Sequence, residues 1–239
     1  MRCVPGFAVA ALLATAAPAM AQQGPQYITP FGMVSFGQFY LRGDAGAAFS
    51  AGSSLRSADP FAGDSLLGPG ARLSGNTGTS GIFDIGIGAR LTPVLRWDAT
   101  LSTLPSMKFS GSGNAAHMHS WLGMVNGYID LDGLMPGAFG RFQPYIDAGI
   151  GGASNTITTL YTPLGGGTAI PGNTHTSLAI GLGAGVGYPI TPKLTLDVAY
   201  RYLDLGDAET SRTSSAGAVA PLKADVHEHT VTLGMRYMF

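Results

Sequence analysis

The chain has 239 residues, a formal charge of −1 and 11% charged residues, so it carries no basic field to hold a nucleic-acid backbone. Its one cysteine is Cys3, which excludes a disulfide framework and thiol chemistry from the rest of the chain. Thirty-six glycines and a mean hydropathy of +0.22 are unusual for a soluble enzyme, yet beyond the N-terminal stretch no apolar run reaches the roughly 20 residues a spanning helix needs.

The N-terminus reads as a targeting segment. Met1-Arg2 supply a positive start, Phe7 to Ala17 an apolar run, and Ala19-Met20-Ala21 a small-x-small cleavage site. These features predict a secretory signal peptide, 1–21, cleaved after Ala21, with 22–239 forming one domain. Cys3 leaves with the signal and lies too far upstream of the cut to be a lipoprotein cysteine.

After a polar lead-in, 22–32, eight strands are predicted from residues alternating between two faces. The first, about 34–45, sets Phe39 and Leu41 outward and Tyr40, Arg42 and Asp44 inward. A Gly/Ser/Ala-rich connection, 46–80, follows, with a short helical turn expected near Leu66-Leu67-Gly68-Pro69-Gly70. The second strand, about 81–91, alternates Phe83, Ile85, Ile87, Ala89 and Leu91 with Asp84, Gly86, Gly88 and Arg90. Thr92-Pro93 turns the chain into the third, about 94–103, where Leu95, Trp97, Ala99 and Leu101 oppose Arg96, Asp98, Thr100 and Ser102.

A medium loop is expected at 104–116. The fourth strand, about 117–131, places Trp121, Val125, Ile129 and Leu131 outward and Met124, Asn126, Tyr128 and Asp130 inward. A Gly/Pro turn, 132–140, leads to the fifth, about 141–153, with Phe142, Ile146, Ala148 and Ile150 out and Arg141, Gln143, Tyr145, Asp147 and Gly149 in. Loop 154–175 is polar. In the sixth strand Leu178, Ile180, Leu182, Ala184, Val186 and Tyr188 share one face, and the other holds only alanine, glycines and Pro189. The turn Pro189-Ile190-Thr191-Pro192-Lys193 gives the seventh strand, with Leu194, Leu196, Val198, Tyr200 and Tyr202 opposed to Thr195, Asp197, Ala199 and Arg201. Loop 207–226 precedes the eighth, about 227–239, where Val231, Leu233, Met235, Tyr237 and Phe239 oppose Thr230, Thr232 and Arg236.

An apolar face opposed to one of glycine and mixed charge is the pattern of a barrel in lipid, where only closed barrels and helices satisfy the backbone. The connections alternate long, short, long, short, long, short, long, as in outer-membrane barrels with short periplasmic turns and longer external loops. The fold class is therefore all-β, an eight-stranded antiparallel up-and-down transmembrane β-barrel with both termini periplasmic and four extracellular loops.

Several stretches carry a family resemblance. Tyr40-Leu41-Arg42-Gly43-Asp44, Gly86-Ile87-Gly88-Ala89-Arg90-Leu91-Thr92-Pro93, Pro144-Tyr145-Ile146-Asp147-Ala148-Gly149-Ile150-Gly151 and Tyr200-Arg201-Tyr202-Leu203-Asp204-Leu205-Gly206 resemble the first, second, fifth and seventh strands of the opacity and OmpA-like outer-membrane barrels of Gram-negative bacteria. The C-terminal Met235-Arg236-Tyr237-Met238-Phe239 is similar to the family's assembly signal, which implies that Tyr237 and Phe239 are read by the barrel-assembly machinery. The resemblance covers the mature chain and implies a location in outer-membrane lipid. It says little about activity, because this scaffold is shared while its loops differ.

The alternation sends Arg42, Arg90, Arg96, Arg141, Arg201 and Arg236 into the lumen with Asp44, Asp84, Asp98, Asp130, Asp147 and Asp197. A barrel of eight strands is just wide enough for side chains to fill, so a paired network closing the lumen is expected ahead of a charged constriction that passes small ions. The expected role is non-enzymatic: envelope structure, and contact with an extracellular ligand or host surface through the loops. A narrow porin-like channel for small ions or solutes is the alternative, and a lipid-acting outer-membrane enzyme a more remote one.

Other readings are weaker. His117, His119, His175, His227 and His229 all fall near the external strand ends, and each His-x-His could supply half a metal site, but strands four and eight lie on opposite sides of the barrel. A wet rim, or one responsive to pH, is the simpler reading. No nucleophile elbow or phosphate loop is present, and Glu228 and His229 point to opposite faces, so neither catalytic residues nor a cofactor or metal are expected. A soluble, lipocalin-like barrel would need polar residues in place of the outward Leu, Ile and Val.

Overall fold

The computed structural model of the chain describes residues 26–29, 32–35, 38–51, 53–57, 72–75, 79–111, 114–158, 160–162, 168–170, 172–209, 213–214, 217–218 and 222–239. The expected signal peptide and the helical turn near Leu66 lie outside them. Among the described residues eight long strands form the barrel: β1 Gln38–Ser50, β2 Thr79–Arg90, β3 Leu95–Gly111, β4 Asn114–Asp130, β5 Gln143–Ile157, β6 Asn173–Pro189, β7 Leu194–Glu209 and β8 Leu222–Met238. Each pairs antiparallel with its neighbours in sequence, and β8 pairs with β1, Glu228 facing Ser50 and Met238 facing Tyr40, to close the ring. Closure leaves no free edge along the barrel wall.

The outward positions form an apolar band. Ile85, Ile87, Val125, Ile150, Leu182 and Leu233 are exposed along its middle, with Trp97, Tyr188 and Tyr237 towards the short turns and Trp121 and Tyr200 towards the long connections. On β1 the band runs from Phe39 to Phe49, roughly 33 Å along the strand, which a tilt near 40° reduces to about 25 Å of height, the thickness of an outer-membrane apolar belt.

The strands continue beyond this band. β3 and β4 are each 17 residues long, and the expected loop 104–116 is instead a hairpin paired as far as Gly111 and Asn114. Short paired segments also occupy the other long connections: Ser53–Ser57 lies beside β8 and Arg72–Gly75, Leu160–Thr162 pairs with Thr168–Ile170, and Thr213–Ser214 with Gly217–Ala218. In the lead-in, Gln26–Thr29 pairs with Gly32–Ser35. At the other end, the link from β4 to β5 begins as a single helical turn, α1 Leu131–Leu134, so Leu131 is not a strand residue.

Above the apolar band the face pattern inverts. Outward positions become polar, as where Thr156 and Thr174 share a hydrogen bond of 2.8 Å on exposed wall. Inward positions become apolar: Ile82, Leu104, Met118, Leu122, Leu203 and Leu205 are among the residues packed into one buried cluster. A barrel wall in water needs an apolar interior, whereas a wall in lipid can carry its polar groups inside, and this chain does both in succession.

Candidate functional site: the lumen

The inward residues near the short turns build a charged network around Tyr128 of β4. Arg96 lies with its guanidinium carbon 4.1 Å from the Tyr128 ring centroid and 4.3 Å from that of Tyr145, while its Nε donates to Asp130 at 2.8 Å. Asp130 also pairs with Arg90 at 3.3 Å. A planar guanidinium suits this slot because it stacks on aromatic faces while its edge bonds a carboxylate.

Across the lumen, Arg42 of β1 donates to Asp44 at 2.8 Å, to Asp98 at 3.2 Å and to the Tyr128 hydroxyl at 2.5 Å. Asp98 also accepts from Tyr40 at 3.1 Å and from Asn126 at 2.7 Å. Arg201 of β7 pairs with Asp147 at 2.7 Å and reaches the Tyr128 hydroxyl at 3.3 Å. Arg236 pairs with Asp197 at 3.6 Å and lies over the Tyr40 ring. Asp98 and Asp130 each meet more than one donor, which offsets the cost of burying them.

Glycine makes the room. A Cβ on Gly185 would stand 2.5 Å from the hydroxyl oxygen of Tyr145, and one on Gly88 would stand 2.6 Å from Cζ of Tyr40 and from Cβ of Asp98. The glycine-rich inner faces of β2 and β6 thus accommodate large side chains from facing strands.

Above the network lies a cavity of about 20 Å³, bordered by Arg42, Asp84, Ser102, Arg201, Thr230 and Thr232, room for about one water. Asp84 faces Asp44 in the β1–β2 register and Ser102 in the β2–β3 register, so it belongs to this border and not to the stacked network. The apolar cluster comes next, capped by a polar knot in which Ser120 donates to Asn155 at 2.6 Å and Asn155 donates to the Leu205 carbonyl at 3.1 Å. That carbonyl precedes Gly206, whose φ of +65° turns the β7–β8 bulge between Asp204 and Asp207.

One of the twelve charged residues assigned to the lumen lies outside it. Arg141 is in the turn before β5, exposed, and donates to the Pro189 carbonyl at 2.9 Å. The strand begins only at Gln143, so the alternation that places Tyr145 and Asp147 inside does not reach back to Arg141. Conversely, Tyr40, Asn126, Tyr128 and Tyr145 join the network although none is charged. Their signal in the sequence is an aromatic or amide at an inward position level with an arginine on a nearby strand.

The histidines stand on the upper wall. His227 and His229 face outward and pack on Tyr202 and Tyr200, with 2.7 Å between the Tyr200 hydroxyl and Nδ1 of His229, while Glu228 between them is buried inside. β4, which carries His117 and His119, is diametrically opposite β8 in the strand order. Among the described residues no three histidine or carboxylate side chains converge as a metal site. At the seam, Phe239 N–H donates to the Phe39 carbonyl at 3.0 Å, and the rings of Tyr237 and Phe239 meet edge to face on the outer wall.

Comparison with known proteins agrees with this architecture. Residues 7–239 match the family model of the outer membrane protein beta-barrel domain. An uncharacterized protein of Brucella suis biovar 1 is 30% identical over 201 residues, spanning 66% of this chain and 68% of that protein. Opacity protein opA68 of Neisseria gonorrhoeae is 36% identical over 90 residues, 37% of this chain and 32% of that protein. The crystal structure of the outer membrane protein OprG from Pseudomonas aeruginosa shares the fold, with a TM-score of 0.53 at 16% identity over 85% of this chain and 96% of that one. The chain belongs to the outer membrane protein beta-barrel domain family, as a small opacity-type barrel seated in the lipid of the outer membrane.

Proposed function

We propose that this protein is a non-enzymatic surface barrel whose lumen does not conduct, and which meets an extracellular ligand or a host surface through its long connections. One observation carries this reading: the lumen is filled by two unlike layers, a paired Arg/Asp/Tyr network and an apolar cluster above it. Ions crossing it would have to break buried pairs and then wet an apolar constriction, and each step is unfavourable. In a barrel that does not conduct, the paired segments that rise above the apolar band are the surface this reading assigns to function.

In this reading the short turns and both termini face the periplasm, residues 1–21 are removed during export, and Tyr237 and Phe239 present the C-terminal strand to the barrel-assembly machinery. The test is planar-bilayer recording of the refolded protein, with a heat-dependent gel shift to confirm folding. A silent membrane is expected, and steady, reproducible openings would replace the proposal with a narrow pore. A peptide tag inserted at 61–70 should be labelled by antibody on intact cells, and N-terminal sequencing of the exported protein should begin at Gln22.

A further inference from the structure

The turn between β4 and β5 differs from the other two short turns. Residues 131–142, LDGLMPGAFGRF, contain two charges, Asp132 and Arg141. The turn is held from both sides. Gly133 sits so close to the β2–β3 turn that a Cβ there would collide with the Pro93 carbonyl oxygen. On the far side Arg141 donates to the Pro189 carbonyl and lies 4.9 Å above the Tyr188 ring, which also meets Phe142 at 5.5 Å. Gly137 and Gly140, with φ of +82° and +62°, reverse the chain between these two fastenings.

Although fixed in this way, the turn keeps its apolar side chains exposed: Leu134 by 55%, Met135 by 49% and Phe142 by 55%. They prolong the lipid-facing band. Phe142 meets Tyr188, the last aromatic of the outward row of β6, so its ring stands on the outer wall just below β5. Leu134 and Met135 close the helical turn that follows β4 directly. Arg141 stands at the same level with one donor used on Pro189, and a guanidinium has five.

We propose that residues 134–142 form an interfacial anchor in the phospholipid leaflet at the short-turn end, with Leu134, Met135 and Phe142 among the acyl-chain segments next to the glycerol and Arg141 donating to a lipid phosphate. The inference rests on the reading of the chain as a barrel in lipid. It goes further in giving a membrane contact to the one turn that exposes three large apolar side chains, where the β6–β7 turn exposes Ile190 alone among the described residues. Tyr188 and Pro189 hold the guanidinium in place in advance, so little side-chain freedom is lost when it meets a phosphate.

The test uses the full chain with Cys3→Ser, refolded into vesicles of phosphatidylcholine and phosphatidylglycerol and carrying a nitroxide at Met135→Cys, Leu182→Cys or Pro192→Cys. Collisions with apolar oxygen and with a water-soluble nickel chelate report depth. The label at position 135 is expected to favour oxygen, as at 182, while that at 192 favours nickel. Equal nickel access at 135 and 192 would overturn the anchor. Nickel access at 182 as well would mean the barrel is not in lipid, a failure of the underlying reading. Adding Arg141→Glu should abolish the oxygen preference at 135, and an unchanged preference would overturn the phosphate contact.

Discussion

The Tyr128 hydroxyl, on β4, accepts a hydrogen bond of 2.5 Å from Arg42, on β1, three strands away around the barrel. The same oxygen is 3.3 Å from Arg201, and the ring beneath it supports Arg96, so one neutral side chain orders three cations. Tyr128→Phe removes the acceptor but keeps the ring. It leaves donors of Arg42 and Arg201 without this partner in a buried site, so we expect a loss of about 1–3 kcal/mol. Tyr128→Ala also removes the platform of Arg96 and opens a cavity, and should cost more, about 3–5 kcal/mol. Urea titration in detergent micelles, followed by the heat-dependent gel shift, orders the two variants.

The pairing of Arg201 with Asp147 at 2.7 Å makes a second prediction. Asp147→Leu leaves a buried guanidinium with the Tyr128 hydroxyl as its one hydrogen-bond partner among the described residues and should destabilise by about 3–5 kcal/mol. Arg201→Met in the same chain removes the stranded charge, and the double variant should recover much of the loss. Purely additive destabilisation in the double-mutant cycle would show that the two side chains do not act as a pair.

Inner glycines set a third expectation. A Cβ on Gly185 would stand 2.5 Å from the hydroxyl end of Tyr145 and 2.8 Å from the Val198 carbonyl oxygen, and Arg96 over the same ring limits its retreat. Gly185→Ala should therefore cost about 1–3 kcal/mol by overpacking. Gly127→Ala on the outer wall, where nothing lies within 4 Å of the added carbon, should be nearly neutral. Equal effects at the two sites, read by the same urea titration, would remove the packing argument.

The strand order and the outward faces were legible in the sequence because alternation reports the pleat directly: Ile85 and Ile87 stand outside, Arg42 and Asp98 inside, as their parity requires. Near the rim the signal weakens. Where the wall leaves lipid, the outward residues become Thr, Ser and His, and stretches such as 104–116 and 154–175 read as polar loops although their strands continue. The apolar upper lumen was hidden for the same reason, since Leu122 and Leu203 look like lipid-facing residues until their register is known. Arg141 failed differently: it is adjacent to a strand without being part of it, and parity counted past a strand end carries no information. The role of Tyr128 depends on contacts between strands far apart in sequence, which periodicity within one strand does not encode.

Outward positions give a fourth prediction. Leu182 and Val198 lie in the middle of the apolar band, and Leu182→Arg or Val198→Arg should cost about 2–4 kcal/mol in a bilayer. In detergent, where the local environment deforms more easily, the cost should shrink. A neutral result in lipid vesicles would contradict the placement of this face against acyl chains.

The two layers of the lumen separate two explanations for a closed barrel. If the charged network alone blocked ions, neutralising the pair stacked on Tyr128 should loosen it, and Arg96→Gln with Asp130→Asn should give measurable conductance. With the apolar cluster stacked above it, that double variant should remain silent, because dehydrated aliphatic side chains such as Leu122 and Leu203 still bar the way. Leu122→Ser with Leu203→Ser wets the upper layer and leaves the ion pairs intact, so this variant should be silent as well. Only the combination of all four substitutions is expected to pass current, and bilayer recordings of the three proteins test that order. Openings in the first double variant would assign closure to the charges alone, and openings in the second would assign it to the apolar layer alone.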